Sequence, residues 1–208
     1  DAAAKYEACQ QKALAKLYGD YFSGFAFQPY ATGVGKCLAK YLATWGKLEA
    51  KYVATGTPCE GPRFLSDGSS VTDQLTGLQW ERTTDDASVH DKDNLYSWSG
   101  TTADHADGTV QSTLLAALNA GGCFGQQCDW RLPTPAELMT LLLAPEPCGA
   151  NPCIDPIFGP TAGNSYWSSA ALAFDVNNAW CVGFADGSVG TCWKVDVVGS
   201  GRAVRGGL

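Results

Sequence analysis

Apolar residues recur at helical spacing over the first 57 positions. Tyr6, Cys9, Ala13 and Leu17 fall three and four apart within residues 2–18, which predicts an amphipathic helix stopped by Gly19. From 34 to 53 the stripe is Cys37, Leu38, Tyr41, Leu42, Trp45, Leu48 and Tyr52. It predicts a second helix closed by Gly56 and Pro58. Two such helices bury little surface alone, so residues 1–57 are expected to form an α-helical hairpin, tied by a disulfide or packed on the next domain. Cys9–Cys37 is the expected bridge and Cys9–Cys59 its rival. The link "YFSGFAFQPY" carries Tyr21, Phe22, Phe25, Phe27 and Tyr30. Either it folds over its own helices or the next domain, or it is a contact surface for another subunit.

Beyond residue 58 the period changes to two, the period of strands. "VTDQLTGLQWER" predicts a hairpin: Val71 enters, a turn runs from Asp73 to Gly77, and Leu78 and Trp80 alternate out. "SYWSSA" predicts an aromatic strand. "AWCVGFADGSVGTCWKV" predicts a hairpin about a turn at Asp186–Gly187. Cys181 and Cys192 are equidistant from that turn, so they are expected to face each other as a bridge. Trp180 and Trp193 then point to the opposite face. "GRAVRGGL" is a last short strand bringing Arg202 and Arg205.

Two segments of this region read as helices. "DGTVQSTLLAALNAGG" offers Thr109 or Asp107 as a cap, Val110, Leu114, Leu115 and Leu118 as an inner stripe, and Gly121 and Gly122 as a stop. In "DWRLPTPAEL", Thr134 lies three residues before Glu137, the spacing of a capping box. Pro135 takes the first helical position, and Leu138, Leu141 and Leu142 face inward. Arg131, beside a buried Trp130, is a candidate partner for Glu137. The motif reads as structural, because no nucleophile–base pair accompanies it.

Composition narrows the classes. Nine cysteines in 208 residues, the C-terminal ones among Gly, Pro and Asn, suit disulfides in an oxidising compartment. "CFGQQC" and "CGANPC" lack zinc-knuckle spacing, and the only histidines are His90 and His105. Residues 58–208 hold seven basic against seventeen acidic side chains, a balance of −10, while residues 1–57 carry +3. An acidic domain argues against nucleic acid and sulfated polysaccharide as ligands. Calcium is the one candidate cofactor, at Asp85, Asp86, Asp91 and Asp93 in "TTDDASVHDKDN". A solvated loop is the preferred reading there, since the register is not that of an EF-hand. With no run of eighteen apolar residues, a membrane span is not expected. The chain opens at Asp1 without a signal-peptide core, and a leader already removed or omitted is expected.

The ordered motifs "VTDQLTGLQWER", "DWRLPTPAEL", "IDPIF", "YWSS", "AWCVGFADGSVG" and "RAVRGG" resemble a bacterial domain family of unknown function, that of the C-terminal domain of Lcl-type collagen-like adhesins. The resemblance covers roughly residues 64–208. It implies an α+β, C-type-lectin-like fold of the formylglycine-generating-enzyme type, with a twisted, mostly antiparallel sheet and two helices. It also implies secreted or surface proteins that bind or adhere. The two cysteine-bearing insertions look like those of a disulfide-bearing subgroup, which implies Cys123–Cys128 and Cys148–Cys153. The Glu-Pro-Asn and Gln-Pro-Asp signatures of calcium-dependent sugar binding are absent. Locally paired cysteines do not match the free copper-binding pair of the enzyme branch.

Three functions are weighed. The first is a secreted or cell-surface, disulfide-braced, non-catalytic binding or adhesion module acting on a glycan or protein. Its candidate contacts are Tyr166, Asn177, Asn178, Trp180, Trp193 and Lys194; the competing reading makes Trp167 and one hairpin tryptophan simple core. The second is a structural subunit of an extracellular filament or surface assembly, built from copies of itself through the aromatic loop and an unpaired cysteine. The third, an enzyme, rests only on scattered carboxylates such as Asp85, Asp86 and Asp91, and is set aside.

Overall fold

The computed structural model describes residues 63–206 apart from 75, 145, 197 and 198, together with the lone residue 43. The chain divides into units Asp1–Arg63 and Phe64–Leu208, and nearly all the described residues fall in the second. The helical hairpin, the bridges of Cys9 with Cys37 or Cys59, and the aromatic residues Tyr21, Phe22, Phe25, Phe27 and Tyr30 lie outside the described residues.

The second unit is α+β, with two antiparallel sheets and few helical turns. Strands β1 (Phe64–Ser66), β2 (Ser70–Asp73), β3 (Leu78–Glu81) and β7 (Val204–Gly206) form one sheet in the order β1-β2-β3-β7. Strands β4 (Ser165–Ala171), β5 (Asn178–Gly183) and β6 (Val189–Trp193) form the other, in sequence order. Asp67 shapes the β1–β2 turn by accepting from the Ser69 and Ser70 amides at 2.8 and 2.6 Å. The β2–β3 turn closes with Gly77 N donating to Asp73 O at 2.8 Å, Gly77 sitting at φ +70° where a side chain would be strained. Leu78 and Trp80 point inward from β3, as the alternation predicts.

The β5–β6 hairpin corrects the expected register. Val182 pairs with Val189, and Gly183 N donates to Ser188 O at 2.8 Å, so four residues, not two, form the loop. Cys181 is therefore opposite Gly190, and Cys192 opposite Ala179. The disulfide between them runs diagonally, with Cα atoms 6.0 Å apart. A slip of two residues keeps the face of every side chain, and the small partners Gly190 and Ala179 leave room for the bridge.

A core of Tyr96, Trp98, Val110, Leu114, Leu118, Trp130, Leu132, Trp167, Ala179, Cys181 and Ala203 fills the space beneath this sheet. Indole N–H groups pin it: Trp167 Nε1 donates to Tyr96 O, and Trp98 Nε1 to Ser168 O, both at 2.8 Å. Gly199 lies so close to the Trp167 indole that any Cβ there would collide with it.

Helix α1 starts as a π-helical stretch, Val110–Leu115, with Ala116 N donating to Gln111 O, and continues as α-helix through Ala116–Leu118. Leu114 and Leu118 are each 1% exposed, and burial of each contributes about 1.5–3 kcal/mol. Neither expected cap operates. Thr109 already has helical backbone angles, and its hydroxyl accepts from Ser97 N at 2.8 Å. Asp107 accepts from Gly100 N at 2.7 Å. Helix α2 (Pro135–Met139) has its predicted capping box: Glu137 N donates to Thr134 Oγ1 at 3.2 Å, and Thr134 N to Glu137 Oε2 at 2.7 Å. Arg131 forks onto the same carboxylate at 2.9 and 2.7 Å. This helix packs against β4 and β5.

Candidate functional site

The open end of the β4-β5-β6 sheet gathers exposed apolar side chains. The turn from β4 to β5 carries Phe174 and Val176, 48% and 63% exposed, and Trp193 on β6 is 46% exposed. Trp193 pairs with Asn178, the first residue of β5, which places all three at one end of the sheet. Asp175 holds the turn by accepting from Asn177 N at 2.9 Å and from Asn178 Nδ2 at 2.7 Å. These donors, the Asn177 amide foremost, hold the Asp175 carboxyl below the usual carboxylate range.

The six expected contact residues separate on burial. Trp193 is exposed, and Asn177 and Asn178 lie half-buried beside it. Lys194 is buried at 3% exposure, donates to Ala103 O at 3.0 Å and sits 4.7 Å from the Trp98 ring centroid. Burial pulls its amine below the usual lysine value, against the opposing pull of Asp175 and Asp104. It works as a clasp on the 99–107 loop. Tyr166 and Trp180 are corrections. Tyr166 is fully buried and stacked on Phe184 at 4.4 Å, and Trp180 is 6% exposed. Both lie on the sheet face that turns away from the disulfide, and both are buried, so neither presents a ring to a ligand. Phe174 and Val176 were not anticipated; the apolar pair flanking Asp175 in a polar turn was the available signal.

In the acidic loop, one carboxylate oxygen each of Asp85, Asp91 and Asp93 lies within 4.8 Å of the others, while Asp86 is outside the group. The residues do not fit calcium as arranged. Lys92 Nζ reaches Asp93 at 2.6 Å and Asp85 at 3.3 Å, so an ammonium already stands among the acids. Asp91 accepts from the amides of Asp86, Ala87 and Asp93. Asp86 accepts from Thr84 Oγ1 and Ser88 N. Calcium prefers six to eight oxygen ligands, whereas here Asp91 is engaged by the loop's own amides and Asp85 and Asp93 by Lys92.

A buried polar centre ties β3 of the four-stranded sheet to the loops packed on it. Glu81, 1% exposed, accepts from Ala203 N at 2.9 Å and lies 2.7 Å from His90 Nδ1. His90 packs on Phe124 with its ring tilted by 36°, and Phe124 packs on Trp130. Arg202, fully buried, donates to Glu81 O, Phe158 O, Thr83 Oγ1 and Thr161 Oγ1 at 2.8–3.1 Å. These groups hold strands and loops together.

Three disulfides brace the unit: Cys123–Cys128, Cys148–Cys153 and Cys181–Cys192. The second pins an insertion to the β5–β6 loop, with Cys148 N donating to Asp186 O at 2.7 Å and Cys153 N to Phe184 O at 2.6 Å. Among the described residues no helix is long and apolar enough to cross a membrane. No curated protein matches the chain. Residues 69–205 match the model of the Lcl C-terminal domain; the match takes in the three-stranded sheet, β2, β3 and the start of β7 from the other sheet, both helices and all three bridges. The chain therefore belongs to the Lcl C-terminal domain family.

Proposed function

We propose that the protein is a secreted or cell-surface, non-catalytic binding module with a C-type-lectin-like domain, and that its contact face is the open end of the three-stranded sheet. The observation that carries this reading is the grouping of Phe174, Val176 and Trp193, each about half exposed or more, on a scaffold cross-linked three times. Exposed aromatic rings on rigid backbone suit stacking on sugars or anchoring a protein partner. Asn177 and Asn178, already fixed by Asp175, supply polar groups at the rim. The three disulfides support an extracellular location, because such bridges persist outside the reducing cytosol. The test is a screen of glycans and surface proteins with the full chain, repeated with Trp193→Ala and Phe174→Ala. Loss of a captured ligand in both variants supports the face; capture unchanged in both removes it.

The second reading is a structural subunit of an extracellular assembly. It is favoured by the outer edge of β6, uncovered among the described residues, and sedimentation of the full chain against concentration tests it.

A further inference from the structure

We propose that the outer edge of β6 is a self-pairing edge, and that two copies of this chain join there, antiparallel and centred on Thr191, into one six-stranded sheet. The proposal does not depend on the binding reading.

The ladder to β5 decides which main-chain groups point outward. Gly183 N donates to Ser188 O, and Lys194 N to Asn177 O, both at 2.8 Å. These positions belong to the hydrogen-bonded set, and alternation adds Gly190 and Cys192 to it. Val189, Thr191 and Trp193 therefore turn their N–H and C=O groups away from β5. Among the described residues none of these groups has a partner. The opposite edge of the same sheet is covered: Trp167 N donates to Ser200 O, and Ser200 N to Ser165 O. In the other sheet, β7 is covered where Val204 and Arg131 exchange hydrogen bonds. Among the described residues β6 is left open, and the only other uncovered edge is that of the three-residue β1.

Open edges are ordinarily guarded by lysine, proline or a bulge. The strand Val189-Gly190-Thr191-Cys192-Trp193 has no charge and no proline, and its pairing with β5 is regular. It is also self-complementary. Pairing about Thr191 sets Thr191 against Thr191 of the second copy, and Val189 against Trp193 in both directions. All three positions belong to the outward set, so every such pair exchanges main-chain hydrogen bonds. Aromatic–β-branched and Thr–Thr pairs are among the favourable cross-strand combinations. They cover part of Trp193, now 46% exposed. No ionised side chain enters the seam, although the domain around it is acidic. A foreign strand could satisfy the backbone; a copy of this one supplies both Val–Trp pairs by symmetry, and a two-fold closes the assembly. A seam of five residues runs only about 17 Å and falls short of the roughly 1,200 Å² of a stable interface. The dimer is therefore weak and concentration-dependent.

Sedimentation velocity of the full chain from about 1 μM to about 1 mM is expected to show a monomer–dimer shift. Thr191→Lys, at an exposed position, sets two ammonium groups face to face and is expected to weaken association at least tenfold. Thr191→Glu does the same, and an equimolar mixture of the two variants recovers the dimer. Near-ultraviolet circular dichroism of each variant reports that the fold is kept. A wild-type chain that stays monomeric throughout, or a Thr191→Lys variant that associates as the wild type does, overturns the proposal. Ligand capture by Thr191→Lys separates the two readings, because the exposed rings of Phe174 and Trp193 remain in place.

Discussion

Arg202 Nη1 donates to the main-chain oxygen of Glu81 at 2.9 Å, while the Glu81 carboxylate turns to Ala203 N and His90 instead. The arginine thus serves as a four-way donor inside the core and leaves the acid to other partners. Lysine cannot span those four acceptors with one ammonium. Arg202→Lys is expected to lower unfolding free energy by roughly 2–4 kcal/mol, since buried acceptors are left unpaired. The urea midpoint measures it, and a shift below about 1 kcal/mol would contradict the assigned role.

Glu137 links the α2 cap to Arg131. Burial raises its carboxyl, but the Arg131 fork and the Thr134 amide outweigh that, and the net shift is downward from 4.5. A lowered acid contributes stability that is complete above its ordinary value and fades as pH falls through the lowered one. Glu137→Gln is expected to cost roughly 1–2 kcal/mol at neutral pH, through the weakened cap and lost ion pair. Below pH 4.5 the gap to wild type is expected to narrow. Urea midpoints across that range test the sign; a widening gap would show it reversed.

The three disulfides differ in access. Cys128 is exposed, whereas Cys153 and Cys181 are 0% and 4% exposed. Access to the attacking thiolate governs exchange. Under mild reductant Cys123–Cys128 is expected to open first and Cys181–Cys192 to outlast it. Timed alkylation and peptide mass spectrometry give the order. Cys181→Ala with Cys192→Ala is expected to cost about 2–4 kcal/mol.

Lys92 already pairs with two of the three grouped carboxylates, Asp85 and Asp93. Calcium or a chelator is therefore expected to leave the melting temperature of the wild-type chain unchanged. A rise of several degrees with calcium would show that the loop rearranges around the ion.

The sequence made the locally encoded parts legible. The "LPTPAEL" cap and its Arg131 partner lie within seven residues, and the β2–β3 turn announces itself through Gly77. The implied short-range disulfides are present for the same reason. What failed needed distant partners. The Asp186–Gly187 pair suggested a two-residue turn, but the loop closes between Gly183 and Ser188 while the insertion holds its tip. Tyr166 and Trp180 looked available because a strand shows both faces; in the fold both are buried by residues distant in the chain, Phe184 stacking on Tyr166. Arg202 was read only as a strand residue, since nothing local marks an arginine as buried.

The insertion carrying Cys148–Cys153 and the tip of the β5–β6 hairpin share main-chain hydrogen bonds at two points, and a Cβ at Gly187 would meet Ala144 O at 3.0 Å. Each segment braces the other. Engineering at this pole must therefore treat the two as one transplantable piece: a change in the length of either calls for a matching change in its neighbour, while the aromatic end of the sheet can be varied separately.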